Sequence, residues 1–447
     1  MDGPRLPFDI LVAVLETSCP PTIATCMQTC HALYHHGAKP LLDWGVTLVV
    51  PADFVSFLKF MRADEEFRFQ HLQKLKIIQC PTAYCDAMDA LHELIAHPLI
   101  CIDTLDLGDA EETLKTTIHL RGATQTLSAA LCALTTLRHL TVSTCGPQTS
   151  AFLRALHSPL ETATLNLLPP PPEASWIAPP DYRPGDTDPI TLLRASSAGS
   201  LHTIRGTGFG AAAPAVRKDI VPFPHVHTLD ATFIHRLVES GGSRTEGAMP
   251  YTWRYIRAFP NLKRLALSMD PETRRFSDPW DGYMYGTERL EALDQVRAAN
   301  REDVAALRRR GDAWVGLEEV RGGMYALYAL GLALVVPRVV VENEVFDADQ
   351  WMLGAVLHDM RPTALVATFS GVQKTFETVS PRGTTLSQPE GTSRLTEIEL
   401  VVEFDTGEGN VDVGVVLVSH VLDETIQGTM LTPHDRIVYS PTSSPSN

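Results

Sequence analysis

Residues able to do chemistry are plentiful in this chain, but their spacing does not gather them. Gly206-Thr207-Gly208-Phe209-Gly210-Ala211 follows a predicted strand, and Asp230 lies 24 residues beyond Gly206. That is an outline of the glycine fingerprint that seats a dinucleotide pyrophosphate at a helix N-terminus. Pro214, Pro222 and Pro224 leave little room for the helix. No G-x-S-x-G elbow, G-x-x-x-x-G-K-[ST] phosphate loop or H-E-x-x-H pair is present. Cys26, Cys30 and His35 could share one side of a helix, yet a fourth ligand and a C-x-x-C spacing are missing. Other acids and histidines are scattered singly, without the spacing that sets two functional groups on one helical face. The expectation is a non-catalytic protein with no cofactor and no metal.

Charge and cysteine usage narrow the partners. The formal net charge is -16, and Val339 to Gln427 carries 15 acidic residues against four basic ones, which argues against nucleic acid. The single basic cluster, Arg308-Arg309-Arg310, closes a predicted helix from Glu288, where cations suit the C-terminal dipole. All eight cysteines lie between Cys19 and Cys145, away from the long loops a disulfide framework would staple, so buried thiols in a reducing compartment are expected. The opening Met1-Asp2-Gly3-Pro4 has no basic n-region or apolar core of a secretory signal. Met324 to Pro337, the longest apolar stretch, is too short for a bilayer and is broken by Gly331. A cytoplasmic or nuclear protein without membrane attachment is the expectation.

The elements that would position any site come in two kinds. At the N-terminus, Leu11, Val14 and Leu15 repeat at helical spacing behind Pro7 and Asp9, and Ile23, Cys26, Met27, Cys30 and Leu33 form a second stripe over Thr22 to His35. Lys39-Pro40 is expected to stop that second helix. Helices this short cannot bury a core alone. After them, aliphatic triplets spaced L-x-x-L-x-L recur: Leu72, Leu75, Ile77; Ile102, Leu105, Leu107; Leu137, Leu140, Val142; Leu262, Leu265, Leu267; Leu395, Ile398, Leu400. Weaker copies include Leu165 with Leu167, Leu201 with Ile204, Val226 with Leu229, Leu317 with Val320, Val336 with Val339 and Val341, and Leu365. Helical patterns at Asp86 to His97, Thr126 to Leu134 and Ser150 to His157 lie between triplets. The spacing predicts α/β units that stack to share a core. An ordinary α/β domain is the rival, but its strands, covered on both faces, should be continuously apolar. Here Lys76, Asp106, Thr141, Asn166, Asp230, Ala266 and Glu399 interrupt the aliphatics, which predicts one open sheet face.

Leu6-Pro7-Phe8-Asp9-Ile10-Leu11, Cys30-His31-Ala32-Leu33 and Pro40-Leu41-Leu42 resemble an F-box, with Leu33 in the slot of the customary Trp and His31 in that of an Arg. Cys80 and Cys145, each three residues after a triplet, resemble the cysteines of leucine-rich repeats. The resemblance implies an F-box and leucine-rich-repeat protein of the kind expanded in fungi: a short helical F-box followed by an irregular solenoid with a curved parallel sheet and outer helices. Such a protein is a substrate receptor of a cullin-RING ubiquitin ligase, bound through a Skp-type adaptor to the cullin scaffold. Adaptor binding would then fall to Leu6, Pro7, Ile10, Leu11, Leu15, Cys30 and Leu33. The target protein would meet the strand face at Lys74, Lys76, Asp106, His139, Thr141, Arg205, Asp230, Arg264, Arg321, Glu397 and Glu399. The corresponding domains are 1–50 for the F-box, 51–431 for the array and 432–447 for a disordered tail whose Ser440-Pro441 and Ser444-Pro445 could accept phosphate. The array is interrupted by a proline-rich insertion at 169–189 and a loop at 270–286. The alternative from another class is a repeat scaffold with no ubiquitin role, its first helices capping the array.

Overall fold

A computed structural model of the chain describes residues 7–79, 85–115, 117–120, 123–144, 146–166, 188–193, 195–207, 209, 220–233, 251–269, 282–345, 350–370, 394–404 and 436–441. Leu6, Cys80, Cys145, Leu167, Trp280 and Ser444-Pro445 lie outside these residues, as do most of the 169–189 insertion and the first part of the 270–286 loop. The chain forms two compact units, Met1–Arg205 and Gly206–Asn447.

The first unit opens with three helices, α1 (Phe8–Thr17), α2 (Pro20–Met27) and α3 (His31–Asp43). Pro7 precedes α1, Pro20 is the first residue of α2, and both lack the N–H that a first turn leaves unused. The stripe expected as one helix from Thr22 to His35 is two, broken at Gln28–Cys30. Pro40 does not stop α3, contrary to expectation. Ala38, Pro40 and Leu42 are all buried, and Lys39 Nζ reaches Asp43 Oδ2 at 2.9 Å along the same turn, so packing offsets the missing hydrogen bond.

Beyond them the first unit alternates strands and helices. In chain order these are β1 (Val46–Leu48), α4 (Pro51–Arg62), α5 (Glu65–His71), β2 (Lys74–Ile77), α6 (Cys85–Ile95), β3 (Thr104–Leu107) and α7 (Ala110–Lys115). A hairpin of β4 (Thr117–Leu120) and β5 (Ala123–Thr126) stands outside the main sheet and pairs antiparallel. Then come α8 (Leu127–Cys132), β6 (His139–Ser143), α9 (Pro147–Ala155), β7 (Thr162–Asn166), α10 (Pro189–Leu192), α11 (Ala195–Ala198) and β8 (Thr203–Thr207). Thr126 caps α8 by accepting from Ala129 N at 3.2 Å, and Asp188 caps α10 by accepting from Ile190 N at 2.9 Å. The sheet order is β1-β2-β3-β6-β7-β8, parallel at each pair from β1 to β7.

The second unit repeats the scheme with β9 (Thr228–Phe233), α12 (Thr252–Ala258), β10 (Arg264–Met269), α13 (Gly282–Arg310), β11 (Glu319–Gly322) and α14 (Met324–Leu330). It continues through β12 (Arg338–Val345), α15 (Gln350–Met360), β13 (Ala364–Ser370), β14 (Glu397–Phe404) and β15 (Arg436–Pro441). Its strands pair parallel in strict chain order from β9 to β15. Gly331 ends α14 in the left-handed conformation (φ 55°), and an added Cβ there would meet Arg297 O at 2.6 Å. Two expectations are corrected. Helix α13 starts at Gly282, inside the stretch read as a loop, and β15 lies inside the stretch read as a disordered tail.

Within each unit the strand order never reverses, unlike a doubly wound sheet, where reversal creates the ligand crevice. The same local geometry also recurs step after step. The carbonyl just before one strand accepts from two successive N–H groups at the start of the next: Gln73 O from Asp103 and Thr104, Asp103 O from Arg138 and His139, Arg138 O from Glu161 and Thr162, Glu161 O from His202 and Thr203. In the second unit His227, Lys263, Pro337 and Thr363 accept in the same way. At Glu318 one donor is missing because the residue in its place is Pro337, and Arg338 alone donates. Repeated closure of this kind marks a stacked α/β array.

The triplets supply the core. Leu75, Leu105, Leu140 and Ala163 stand in register across the first unit, with Ile77, Leu107, Val142 and Leu165 in the next row, all buried. Leu229, Leu265, Val320, Val339 and Leu365 do the same in the second. The leading slot, Leu72, Ile102, Leu137, Leu160, Leu201, Val226, Leu262, Leu317 and Val336, is buried, while Leu395 at the head of the last triplet is half-buried. Each such aliphatic contributes about 1.5–3 kcal/mol by leaving water.

Candidate interaction surfaces

The first candidate surface is the helical module α1–α3. Leu15, Ile23, Met27, Leu33 and Ala38 form its core, with Leu11, Cys26, Tyr34, Leu41 and Phe60 packed around them. Leu15 and Leu33, expected to contact an adaptor, instead hold the helices together, and at 1% and 8% exposure they offer no surface. Pro7 and Cys30 are exposed, Leu11 is half-buried, and Ile10 is 48% exposed. Phe8 (39%) and Val14 (46%) are also open and were not among the expected contacts, although Val14 lies one helical turn after Ile10. Helix α1 thus carries apolar side chains both inward, at Leu15, and outward, at Ile10 and Val14.

A buried cation fastens this module to α4 and α5. The Arg68 side chain is fully buried, its guanidinium 4.6 Å from the Tyr34 ring centroid and 4.1 Å from that of Phe60. Nη1 donates to Tyr34 Oη at 3.1 Å and to Phe60 O at 2.5 Å. Nε and Nη2 have no hydrogen-bond partner among the described residues. The aromatic faces carry part of the compensation a buried charge requires.

Beside it opens a cleft of about 870 Å³ lined by Val12, Glu16, His35, Lys39, Trp44 and Lys74, among others. The Asp43 carboxylate, hydrogen-bonded to Lys39, raises the ammonium's pKa above its ordinary value. At the start of α2, Cys19 Sγ lies 3.2 Å from Thr22 Oγ1, and that hydrogen bond lowers the exposed thiol's pKa.

The second candidate is the polar strand face, which alternates residue by residue with the buried rows. Each of the eleven residues expected to meet a target lies exposed or half-buried on a strand, none in the core. In the first unit Lys74, Lys76, Asp106, His139, Thr141 and Arg205 occupy such positions; Lys76 Nζ pairs with Asp106 Oδ2 at 2.8 Å and His139 Nδ1 lies 2.8 Å from Thr162 Oγ1. In the second, Asp230, Ala266 and Arg321 share a register row, Arg264 faces Glu319, and Glu397 and Glu399 stand on β14. Arg321 is the hub, 3.5 Å from Glu319 and 3.6 Å from Glu342, while Arg338 reaches Glu319 at 3.5 Å. Glu319, Arg338 and Glu342 were missed, though strand alternation about Arg321 and Val339 would have found them. Burial raises the Glu342 pKa; Arg321 opposes that, and Asp230 and Glu319 add to it.

A buried polar layer ties the helices of the second unit. Arg297 bonds Asp359 Oδ2 at 2.5 Å and donates to the carbonyls of Tyr328 and Ala355 at 3.2 and 3.0 Å, its guanidinium 4.4 Å from the Tyr328 ring. Tyr328 hydrogen-bonds Asp294, and burial together with that bond pushes its pKa up to about 12. Asn300 accepts from Thr252 N and donates to Ala329 O. These groups are enclosed by α12, α13, α14 and α15 and serve packing.

No protein-family model matches the chain, and no curated protein matches it. Among the described residues no helix is long and apolar enough to cross a membrane.

Proposed function

We propose that the chain is a non-catalytic substrate receptor of a cullin-RING ubiquitin ligase, its F-box-like helices docking on a Skp-type adaptor and its leucine-rich-repeat strand faces holding the target. The observation that carries the reading is the outward apolar side of α1. Ile10 and Val14 remain exposed although Leu15 one residue on is buried, and exposed aliphatics one turn apart suit a partner helix. The mechanism is proximity: target lysines are held near a charged ubiquitin carrier, and the receptor breaks no bond. Cytoplasm or nucleus would be its place of work. Because Ile10 and Val14 lie outside the core, Ile10→Asp with Val14→Asp should leave the fold intact and abolish copurification with adaptor and cullin. Copurification that survives this double change sinks the docking assignment.

The scaffold reading has an observation of its own, the Arg68 anchor that packs α3 against α4 and α5 as a cap would. It expects partners bound by the strand faces with neither adaptor nor cullin among them.

A further inference from the structure

Contrary to expectation, two functional groups do share a single helical face. His31 and His35 stand one turn apart on α3, with ring centroids 4.4 Å apart and the two Nε2 atoms separated by 3.1 Å. As a hydrogen bond between rings open to solvent, this contact gains little over hydration of each ring. As a chelate its geometry is apt. Two metal–nitrogen bonds of ~2.0–2.1 Å to nitrogens this far apart enclose about 100°, between the square-planar and tetrahedral angles. Histidines at i and i+4 on a helix are the spacing by which one helical face presents two imidazoles to one metal.

The surroundings orient His35 for that role. Its other nitrogen, Nδ1, lies 3.7 Å from Asp64 Oδ2 just before α5. At that distance the carboxylate stands just beyond hydrogen-bond reach; closing on Nδ1–H when a metal arrives, it favours the tautomer whose Nε2 keeps its lone pair. The Tyr34 ring packs edge-on against His35 at 5.8 Å, and Tyr34 is itself held by the buried Arg68. His35 also borders the 870 Å³ cleft, which leaves room for water or a further ligand. Among the described residues no group of three or more His, Cys, Asp or Glu could hold a metal ion, so the donors the described residues bring together here number two.

We propose that His31 and His35 chelate a divalent transition ion of the imidazole-seeking type, Zn²⁺, Ni²⁺ or Cu²⁺, with Asp64 as a positioning residue. The site does not depend on the docking reading and stands or falls without it. The test is calorimetric titration of Zn²⁺ into the full chain, compared with His31→Ala, His35→Ala and Asp64→Asn, circular dichroism checking that each variant is folded. His31 is exposed, so its replacement leaves the core untouched. One equivalent should bind the wild type in a phase that both histidine variants lose, above whatever background the other histidines and cysteines give. Asp64→Asn should keep the stoichiometry, weaken the same phase by about 10–100-fold, and leave the metal-free melting temperature unchanged. A phase missing from the wild type, or surviving in either histidine variant, overturns the proposal; an Asp64→Asn affinity equal to wild type overturns the role of Asp64.

Discussion

At the scale of single residues, the two electrostatic centres of the second unit differ in kind. Arg297 and Asp359 are almost wholly buried and paired through Asp359 Oδ2, while Oδ1 has no hydrogen-bond partner among the described residues and lies 3.4 Å from Arg301, so the ion pair offsets most of the cost of an uncompensated charge. Glu342 is half in water and pulled both ways. Its raised pKa means that the folded protein keeps this proton at pH values where the unfolded chain has already released it. Stability is therefore lost as pH rises from the ordinary 4.5 through the folded value, and the loss is complete above it. Glu342→Gln mimics the protonated form. Melting curves should show it more stable than wild type at pH 7, with the advantage shrinking as pH falls toward 4; an equal or lower melting temperature at pH 7 would mean that Arg321 outweighs burial. None of this is legible in the sequence, because alternation marks the face a residue occupies and not the charges on neighbouring strands.

At the scale of elements, α1 separates two duties that its sequence pattern merges. The opening Leu-Pro-x-Asp-Ile-Leu run and the stripe behind it single out apolar residues without saying which way each points. Leu15 turns inward and Ile10 outward, so their truncations should behave differently. Leu15→Ala should cost about 2–5 kcal/mol, while Ile10→Ala should change stability little, as read by urea unfolding of the full chain. Equal losses would mean that both sides of the helix are packed. The strands were easier to read. Every strong aliphatic triplet leads into a strand, yet one weaker copy runs differently from its spacing in sequence: Leu165 closes the unit Leu160, Ala163, Leu165 and does not pair with Leu167 in a triplet. An alanine in the middle slot, registered beside Leu140, hid the repeat. Three-residue β1 and the β4–β5 hairpin were missed because so few side chains give no period to detect. Pro40 misled for the opposite reason, since a strong local rule yielded to burial.

At the scale of the molecule, each step of the array touches chiefly the steps before and after it, so damage should spread by proximity. Leu105→Ala removes an inward side chain of β3, between β2 and β6. Hydrogen exchange should then lose most protection at β2, β3 and β6 and progressively less at β7 and β8. Uniform loss along the unit would show instead a single cooperative core. The alternation of strands and helices was visible in the sequence, as was the open polar face, because both rest on side-chain type. What ties the steps named above, the paired donation to one carbonyl, is made by backbone and leaves no mark on composition except at Pro337, where a donor is lost.

That carbonyl closure carries a consequence for how such a chain can change. The same seam joins Glu318 to the short excursion ending at Arg338 and Lys263 to the long one ending at Glu319. The seam is indifferent to the length of polypeptide spooled out between its two sides. Inserted or deleted stretches between seams would alter what the outer rim displays while the stitched spine keeps its pitch, letting new specificities be tried without redesigning the frame.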